Sequence, residues 1–329
     1  MVHSPQLISL IIPCHNEEEL LTDFYEATQA LICRLTVDIE LIFIDDGSDD
    51  NTWLEIKKIK RKYQPTQAIK FSRQFGKEAA LFAGLTHAKG DAAIPLDVDL
   101  QDPIEIVSMF IQEWQLGYDM VIGQRKKRPF DSFFKRTTAK WFYIVHNALS
   151  EIRIPENGSD FRLISRKVIN EIIKLPENQL FMKGLFSWVG FKTKIIPYTS
   201  QSRKKGKSKF TWWRLWNFAL DGITAFSTLP LRIWGYLGGF ICILSVVYTA
   251  YIILKTLYFG IDVPGYASLF TAIMFFGSVQ LISVGILGEY IGRLHTECKQ
   301  RPRYIIDQHY AGDTLATASR EVNHAQSMS

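Results

Sequence analysis

The segment Asp97-Val98-Asp99 has the composition of a site for a hard cation. It follows a short run of small and apolar residues, Ala92 to Leu96, which is typical of a buried strand. Ligands of open α/β folds bind at the carboxyl ends of such strands. Because the backbone turns out of the sheet there, both carboxylates can face Mg²⁺ or Mn²⁺ from one side. An acidic surface turn remains the alternative for any single Asp-x-Asp pair.

Two other predicted strands also end in polar residues. Leu7 to Pro13 precedes Cys14-His15-Asn16-Glu17, and Ile39 to Ile44 precedes Asp45-Asp46-Gly47-Ser48. An acidic turn explains the glycine and serine of the second segment, but not three such strand ends in one chain. Carboxylates at strand ends suit hydrogen bonding to a base or ribose, with a metal bridging a diphosphate. The glycine patterns of dinucleotide folds and P-loops are absent.

The elements that position these residues alternate between strand and helix up to about residue 200. Further strands are expected near residues 68–72 and 92–96, and helices over residues 17–35, 52–63 and 77–88. This alternation predicts an α/β fold with a mostly parallel, Rossmann-like sheet and helices on both faces. The polar strand ends would then meet at one edge of the sheet.

The last third of the chain has few charges. Ile233 to Leu254 and Tyr266 to Gly288 are apolar over about the twenty residues that a bilayer core requires. They predict transmembrane helices over 232–258 and 266–292 with a short extracytoplasmic loop, 259–265; buried core helices are the alternative. Arg232 before the first stretch and Arg293 after the second indicate a multi-pass protein of the inner or plasma membrane with both ends cytosolic.

The remaining segments complete the predicted organisation. Residues 1–209 form a cytosolic catalytic domain, and Arg203 to Lys209, with several cations and a glycine, is expected to be a lid loop. Residues 210–231 interleave aromatic and basic side chains, which is typical of an interfacial helix. Residues 293–329 are expected to be a basic, disordered tail. Neither a signal peptide nor a cysteine framework is indicated.

The motifs taken together resemble a known family. Pro-x-x-Asn-Glu, Asp-Asp-Gly-Ser-x-Asp and Asp-x-Asp-x-Gln-Asp-Pro are similar to the motifs of family-2 inverting glycosyltransferases of the GT-A fold. Ser159 to Leu163 and Arg203 to Phe210 resemble the polyprenyl-phosphate branch, which includes bactoprenol glucosyltransferases and dolichyl-phosphate mannose synthases. The resemblance implies a UDP-sugar donor, an undecaprenyl-phosphate acceptor and a membrane location.

The resemblance also implies roles for particular residues. The metal, Mg²⁺ or Mn²⁺, would be held by Asp97, Asp99 and Gln101. The catalytic residues would be Asp160 and Asp99. Donor contacts would come from Pro13, His15, Glu17, Asp45, Arg73, Asp97, Val98, Arg203, Ser208 and Lys209.

Arg125 and Arg136 would grip the acceptor phosphate, although a basic run can also solvate a surface or attract anionic lipid. Asp160 would act as a base or orient the nucleophile, or else form a structural ion pair with Arg162. Because the acceptor phosphate is already ionised, it needs positioning more than deprotonation.

Partners and alternatives follow from the same resemblance. The expected reaction transfers a hexose, glucose above all, with inversion, and a flippase and a downstream glycosyltransferase would use the product. The resemblance implies a homo-oligomer, namely a tetramer. No nucleic-acid partner is expected. The alternatives are another sugar, such as N-acetylglucosamine, mannose from GDP-mannose or aminoarabinose, or a non-catalytic nucleotide-sugar-binding membrane scaffold. A processive polysaccharide synthase should carry a Gln-x-x-Arg-Trp motif before several further spans. Here Gln300-Arg301-Pro302-Arg303-Tyr304 follows the last predicted span, which disfavours that alternative.

Overall fold

The computed structural model describes residues 6–125, 158–178, 180–199 and 265–312, together with single positions between 236 and 258. Its contacts divide the chain into two units. The first contains residues 1–143, 152–212 and 302–329, and the second contains residues 144–151 and 213–301.

The first unit alternates strands and helices, as the sequence predicts. Its strands are β1 Leu7–Cys14, β2 Asp38–Asp45, β3 Thr66–Phe71, β4 Ala92–Pro95, β5 Met120–Arg125, β6 Gly158–Ser165, β7 Thr193–Tyr198 and β8 Ile306–Tyr310. Its helices are α1 Leu21–Ile32, α2 Thr52–Lys62, α3 Lys77–His87, α4 Ile106–Gln115, α5 Arg166–Lys174 and α6 Met182–Trp188. The α/β fold is therefore confirmed.

The eight strands form one mixed sheet in the order β7-β5-β6-β4-β1-β2-β3-β8. The central strands β4, β1, β2 and β3 are parallel. By contrast, β6 is antiparallel to β4 and β5, and β8 is antiparallel to β3. The parallel centre explains why β1 and β2 read as continuous apolar runs, because both faces of such strands are covered by helices. Six of the eight residues of β1 and seven of the eight of β2 are buried.

The second unit contains α7, Tyr266–Cys298. Within it, Ala272–Cys298 is long and apolar enough to cross a membrane, and an 18-residue window of this segment has a mean hydropathy of 1.6. It is the one such helix in the described part of the chain. The described positions between 236 and 258 are also helical, but the two-helix crossing stays a prediction.

The prediction of a disordered tail from residue 293 is wrong up to residue 312, where the structure shows the end of a helix and a strand. Helix α7 continues to Cys298, and β8 then pairs with β3 along the edge of the sheet. Tyr304 stacks on Phe71 with ring centroids 5.0 Å apart. The sequence of β8 hides this strand, because four of its five side chains are exposed and it lacks an apolar run.

Candidate active site

The carboxyl ends of β1, β2 and β4 lie side by side. Cys14 at the end of β1 pairs with Asp45 at the end of β2, and Ile11 pairs with Pro95 at the end of β4. Burial raises the pKa of the Cys14 thiol well above its ordinary value, and the nearby carboxylates of Asp45, Glu17 and Asp97 raise it further. The polar strand ends thus converge at one edge of the sheet.

Hydrogen bonds join the loop after β1 to the loop after β2. Asn16 adopts a positive φ of 54°, its backbone N–H donates to Ser48 Oγ at 3.0 Å, and its Oδ1 accepts from the Asp49 N–H at 2.9 Å. Glu17 N–H donates to Thr52 Oγ1 at 2.9 Å. His15 Nδ1 lies 2.9 Å from the carbonyl oxygen of Asp46. The two loops therefore form one wall of the site.

The neighbouring carboxylates of Asp45 and Asp46 have different surroundings. Asp45 is fully buried, and its Oδ1 accepts from the Ser48 N–H at 3.0 Å. Its Oδ2 accepts no hydrogen bond from any residue that the structure describes. A buried acceptor without a partner is costly, so this oxygen suits an N–H or O–H donor of a ligand.

Asp46 serves a structural role that the sequence did not reveal. Its carboxylate accepts from the backbone N–H of Phe75 at 2.7 Å and of Gly76 at 2.9 Å. Burial raises the pKa of Asp46, although these hydrogen bonds act in the opposite direction. Asp46 thereby fixes the loop that leads into α3.

The segment Asp97-Val98-Asp99, predicted to hold a metal ion, forms a tight turn directly after β4. Leu100 has a φ of 52°, and the Gln101 N–H donates to Asp99 Oδ1 at 3.2 Å. Val98 is buried in the core, so its side chain faces away from solvent between the two aspartates. No group of three His, Cys, Asp or Glu side chains suited to a metal occurs among the described residues. The motif offers two carboxylates and one amide, oxygen donors that fit Mg²⁺ or Mn²⁺ if a ligand supplies the rest.

Lys77, the first residue of α3, contacts Asp97. Its Nζ lies 2.7 Å from Oδ1 and 2.9 Å from Oδ2 of Asp97, and 3.4 Å from Oδ2 of Asp160. Burial acts to lower the pKa of Lys77, but Asp97 and Asp160 more than offset this effect and raise it. Lys77 therefore carries a full positive charge between two carboxylates.

Asp160, on β6, lies among cations. Lys183 Nζ on α6 is 3.6 Å from its Oδ1, and the buried Arg162 lies two residues further along β6. Burial opposes ionisation of Asp160, yet Lys183, Lys77 and Arg162 together hold its pKa well below the usual value. Asp160 is therefore an ionised, weakly basic carboxylate at neutral pH, suited to orienting a cation or hydroxyl more than to taking a proton.

Glu78 adds a second carboxylate behind Asp160. Its Oε2 accepts from the Met182 N–H at 3.2 Å, which ties α3 to the start of α6. Burial, followed by the charge of Asp160, raises the pKa of Glu78 to about 7. The pair thus has one firmly ionised member and one that titrates near neutrality.

Arg125, predicted to bind the acceptor phosphate, is held by Asp102. Its Nε donates to Oδ1 and its second guanidinium nitrogen to Oδ2 of Asp102, both at 3.1 Å. The Tyr198 hydroxyl donates to the same carboxylate. Burial acts to lower the pKa of Arg125, but Asp102 more than offsets it and raises that pKa. Asp102 thus orients the guanidinium at the end of β5.

A narrow cleft at this edge of the sheet holds part of the site. It is lined by Pro13, Lys77, Leu81, Pro95, Asp97, Asp102, Asp160 and Phe161. Among the predicted site residues it gathers Pro13, Asp97 and Asp160. Arg73 is exposed, and its guanidinium stacks 4.3 Å from the ring centroid of Phe75.

Several predicted contacts lie outside the described residues, namely Arg136, Arg203, Ser208 and Lys209. Five charged residues at the site were not predicted from the sequence: Asp46, Lys77, Glu78, Asp102 and Lys183. Asp102 could have been found, because it lies within the motif Asp-x-Asp-x-Gln-Asp-Pro, and so could Lys77, because it begins the helix predicted over residues 77–88. Lys183 gives no such signal, since only the packing of α6 brings it to Asp160.

The chain is similar to known proteins over most of its length. Residues 9–173 match the family profile described as Glycosyl transferase family 2, and residues 229–294 match that of the GtrB C-terminal hairpin. The chain is 50% identical over 306 residues to the SfII prophage-derived bactoprenol glucosyl transferase of Shigella flexneri, covering 93% of this chain and 99% of that protein.

Two further proteins extend the comparison. An uncharacterised glycosyltransferase of Synechocystis is 47% identical over 302 residues, covering 91% of this chain and 94% of that protein. A crystal structure of glucosyl-3-phosphoglycerate synthase from Mycobacterium tuberculosis, in complex with Mn²⁺ and UDP-glucose, aligns at a TM-score of 0.44 with 17% identity. It covers 67% of this chain and 77% of that chain, and similarity this low says nothing about the ligands of the present chain.

Proposed function

The chain belongs to glycosyl transferase family 2, and from that premise we propose that it transfers glucose from UDP-glucose to undecaprenyl phosphate, with inversion at the anomeric carbon. The observation that carries this proposal is the 50% identity to bactoprenol glucosyl transferases across nearly their whole length. The convergence of three polar strand ends at one edge of the sheet supports it from the geometry.

Each part of the site has a role in this reaction. Asp45, with one buried oxygen free of hydrogen bonds from the described residues, would accept from the base or ribose of the donor, beside His15 and Glu17. Asp97, Asp99 and Gln101 would hold the divalent cation, which when bound neutralises charge on the departing diphosphate. Arg73, Arg203, Ser208 and Lys209 would add donor contacts.

The acceptor side depends on charge placement. Arg125, oriented by Asp102, and Arg136 would position the lipid phosphate, which is already an anion and needs no general base. Asp160, held ionised by its neighbouring cations, would orient the nucleophile through the ammonium groups of Lys77 and Lys183 that it holds. Two membrane helices, interfacial segments and cytosolic termini would hold this site at the inner face of the membrane, in a homo-oligomer, and a flippase and a further glycosyltransferase would use the product.

The test uses purified full-length protein with undecaprenyl phosphate, Mg²⁺ or Mn²⁺, and a panel of labelled UDP- and GDP-sugars. Label should enter the organic phase from UDP-glucose, only with metal, and the product should be the β-anomer. Asp99→Asn should abolish transfer, whereas Asp23→Asn, the same change on the exposed face of α1, should not. Label from a different donor would change the sugar, and no label despite intact UDP binding would favour another acceptor or the scaffold alternative.

A further inference from the structure

The position of Lys77 conflicts with the binding of a metal ion at Asp97. Its ammonium group contacts both carboxylate oxygens of Asp97, at 2.7 and 2.9 Å. A cation that coordinates Asp97 must use at least one of these oxygens. Two cations on one carboxylate oxygen repel each other, so the ammonium group is expected to move off that oxygen when the ion binds.

The backbone of Lys77 is anchored, so its side chain must make this movement. Gly76, directly before it, is held by two hydrogen bonds to the Asp46 carboxylate. The side chain of Lys77 is about half exposed and has four flexible methylene groups. A second carboxylate oxygen, Asp160 Oδ2, already lies 3.4 Å from the ammonium group. Lys77 can therefore exchange Asp97 for Asp160 without moving its backbone.

We propose that Lys77 is a positioning residue that acts as the built-in counter-cation of Asp97 and yields that carboxylate to the divalent ion, keeping Asp160 as its partner. The inference rests on the proposed metal site at Asp97 and Asp99. A divalent ion and an ammonium group that both contact Asp97 repel each other. Lys77 therefore weakens binding of the ion when no nucleotide is present. A nucleoside diphosphate brings negative charge that compensates both cations, so the ion binds well only together with the donor.

The test measures Mn²⁺ binding to the purified full-length protein without nucleotide, by electron paramagnetic resonance of the free ion. Lys77→Met removes the charge but keeps the length of the side chain. It should bind Mn²⁺ about tenfold more tightly, equivalent to ~1.4 kcal/mol. Lys77→Arg keeps the charge and should stay within about threefold of the wild type. Lys183→Met removes a charge that contacts Asp160 but has no ion pair with Asp97, and should also change the Kd by less than about threefold.

The outcomes separate this inference from the proposed function. If Asp99→Asn abolishes Mn²⁺ binding but Lys77→Met binds no more tightly than the wild type, the role of Lys77 is refuted and the metal site stands. Equal tightening in Lys183→Met would also refute it, because any nearby charge would then suffice. If neither the wild type nor Lys77→Met binds Mn²⁺, both the role of Lys77 and the metal site at Asp97 and Asp99 are refuted. Lys77→Gln provides a second neutral variant if Lys77→Met does not fold, as judged by its melting temperature.

Discussion

Replacing Gly47 with alanine should disrupt the loop that leads to Lys77. Gly47 has a φ of +64°, and a Cβ built on it would lie 2.5 Å from the carbonyl carbon of Arg73 and 2.6 Å from the backbone nitrogen of Gln74. Both neighbours are backbone atoms, so no side chain can rotate away. The loop after β2 and the loop after β3 would have to separate.

The expected cost has two parts. An alanine in the left-handed region costs roughly 1–2 kcal/mol, and overpacking against backbone adds roughly 1–3 kcal/mol. Gly117 offers a matched control, because it has a φ of +91° with nothing within 4 Å of a built Cβ. Gly117→Ala should therefore show only the conformational part.

Differential scanning fluorimetry of the detergent-purified protein measures both variants. At about 2–4 °C per kcal/mol for a unit of this size, Gly47→Ala should lower the melting temperature by roughly 4–20 °C, and Gly117→Ala by roughly 2–8 °C. Gly47→Ala should also weaken UDP binding, because Asp45 and the Arg73 loop flank the same turn. Equal losses in the two variants would refute the close-approach argument.

Three further predictions concern the charged residues of the site. The folded-state pKa of Glu78 is raised to about 7. The protein should therefore lose stability as pH rises from about 4.5 to 7, by roughly 2–3 kcal/mol. Glu78→Gln should remove this pH dependence of the free energy of unfolding measured in urea, and an unchanged pH dependence would contradict the assignment. Asp160→Asn should lower kcat about 10- to 100-fold. Because the pKa of Asp160 is lowered, the wild-type pH–rate profile should show no limb from Asp160 between pH 5 and 8. The contribution of ionised Asp160 to the stability of the fold is present above the ordinary carboxyl range and is lost only in more acidic solution. Asp102→Asn should raise the KM for undecaprenyl phosphate about tenfold by releasing Arg125, and it should leave the KM for UDP-glucose unchanged. Tyr198→Phe should have a smaller effect on the KM for undecaprenyl phosphate. A change in the KM for UDP-glucose alone would place Arg125 on the donor side.

Local sequence was enough to predict the α/β alternation and the strand ends. The runs of β1 and β2 are apolar because parallel strands are covered on both faces. Their polar exits are short-range features that a reader can see directly in the residues. The motif Asp97-Val98-Asp99 likewise depends on neighbours in sequence, as does the apolar length of the helix at 272–298.

Long-range pairings could be decided only by the tertiary structure. Strand β8 joins β3 across more than 200 residues of sequence, and its exposed, polar residues contain no pattern that predicts an edge strand. Lys77, Lys183 and Asp160 come from α3, α6 and β6, and their charges meet because the sheet order places β6 beside β4. The sequence by itself therefore determined which groups are available for chemistry. Packing decided which of them are paired, buried or held ionised, because electrostatic energies depend on distances in space and not on spacing along the chain.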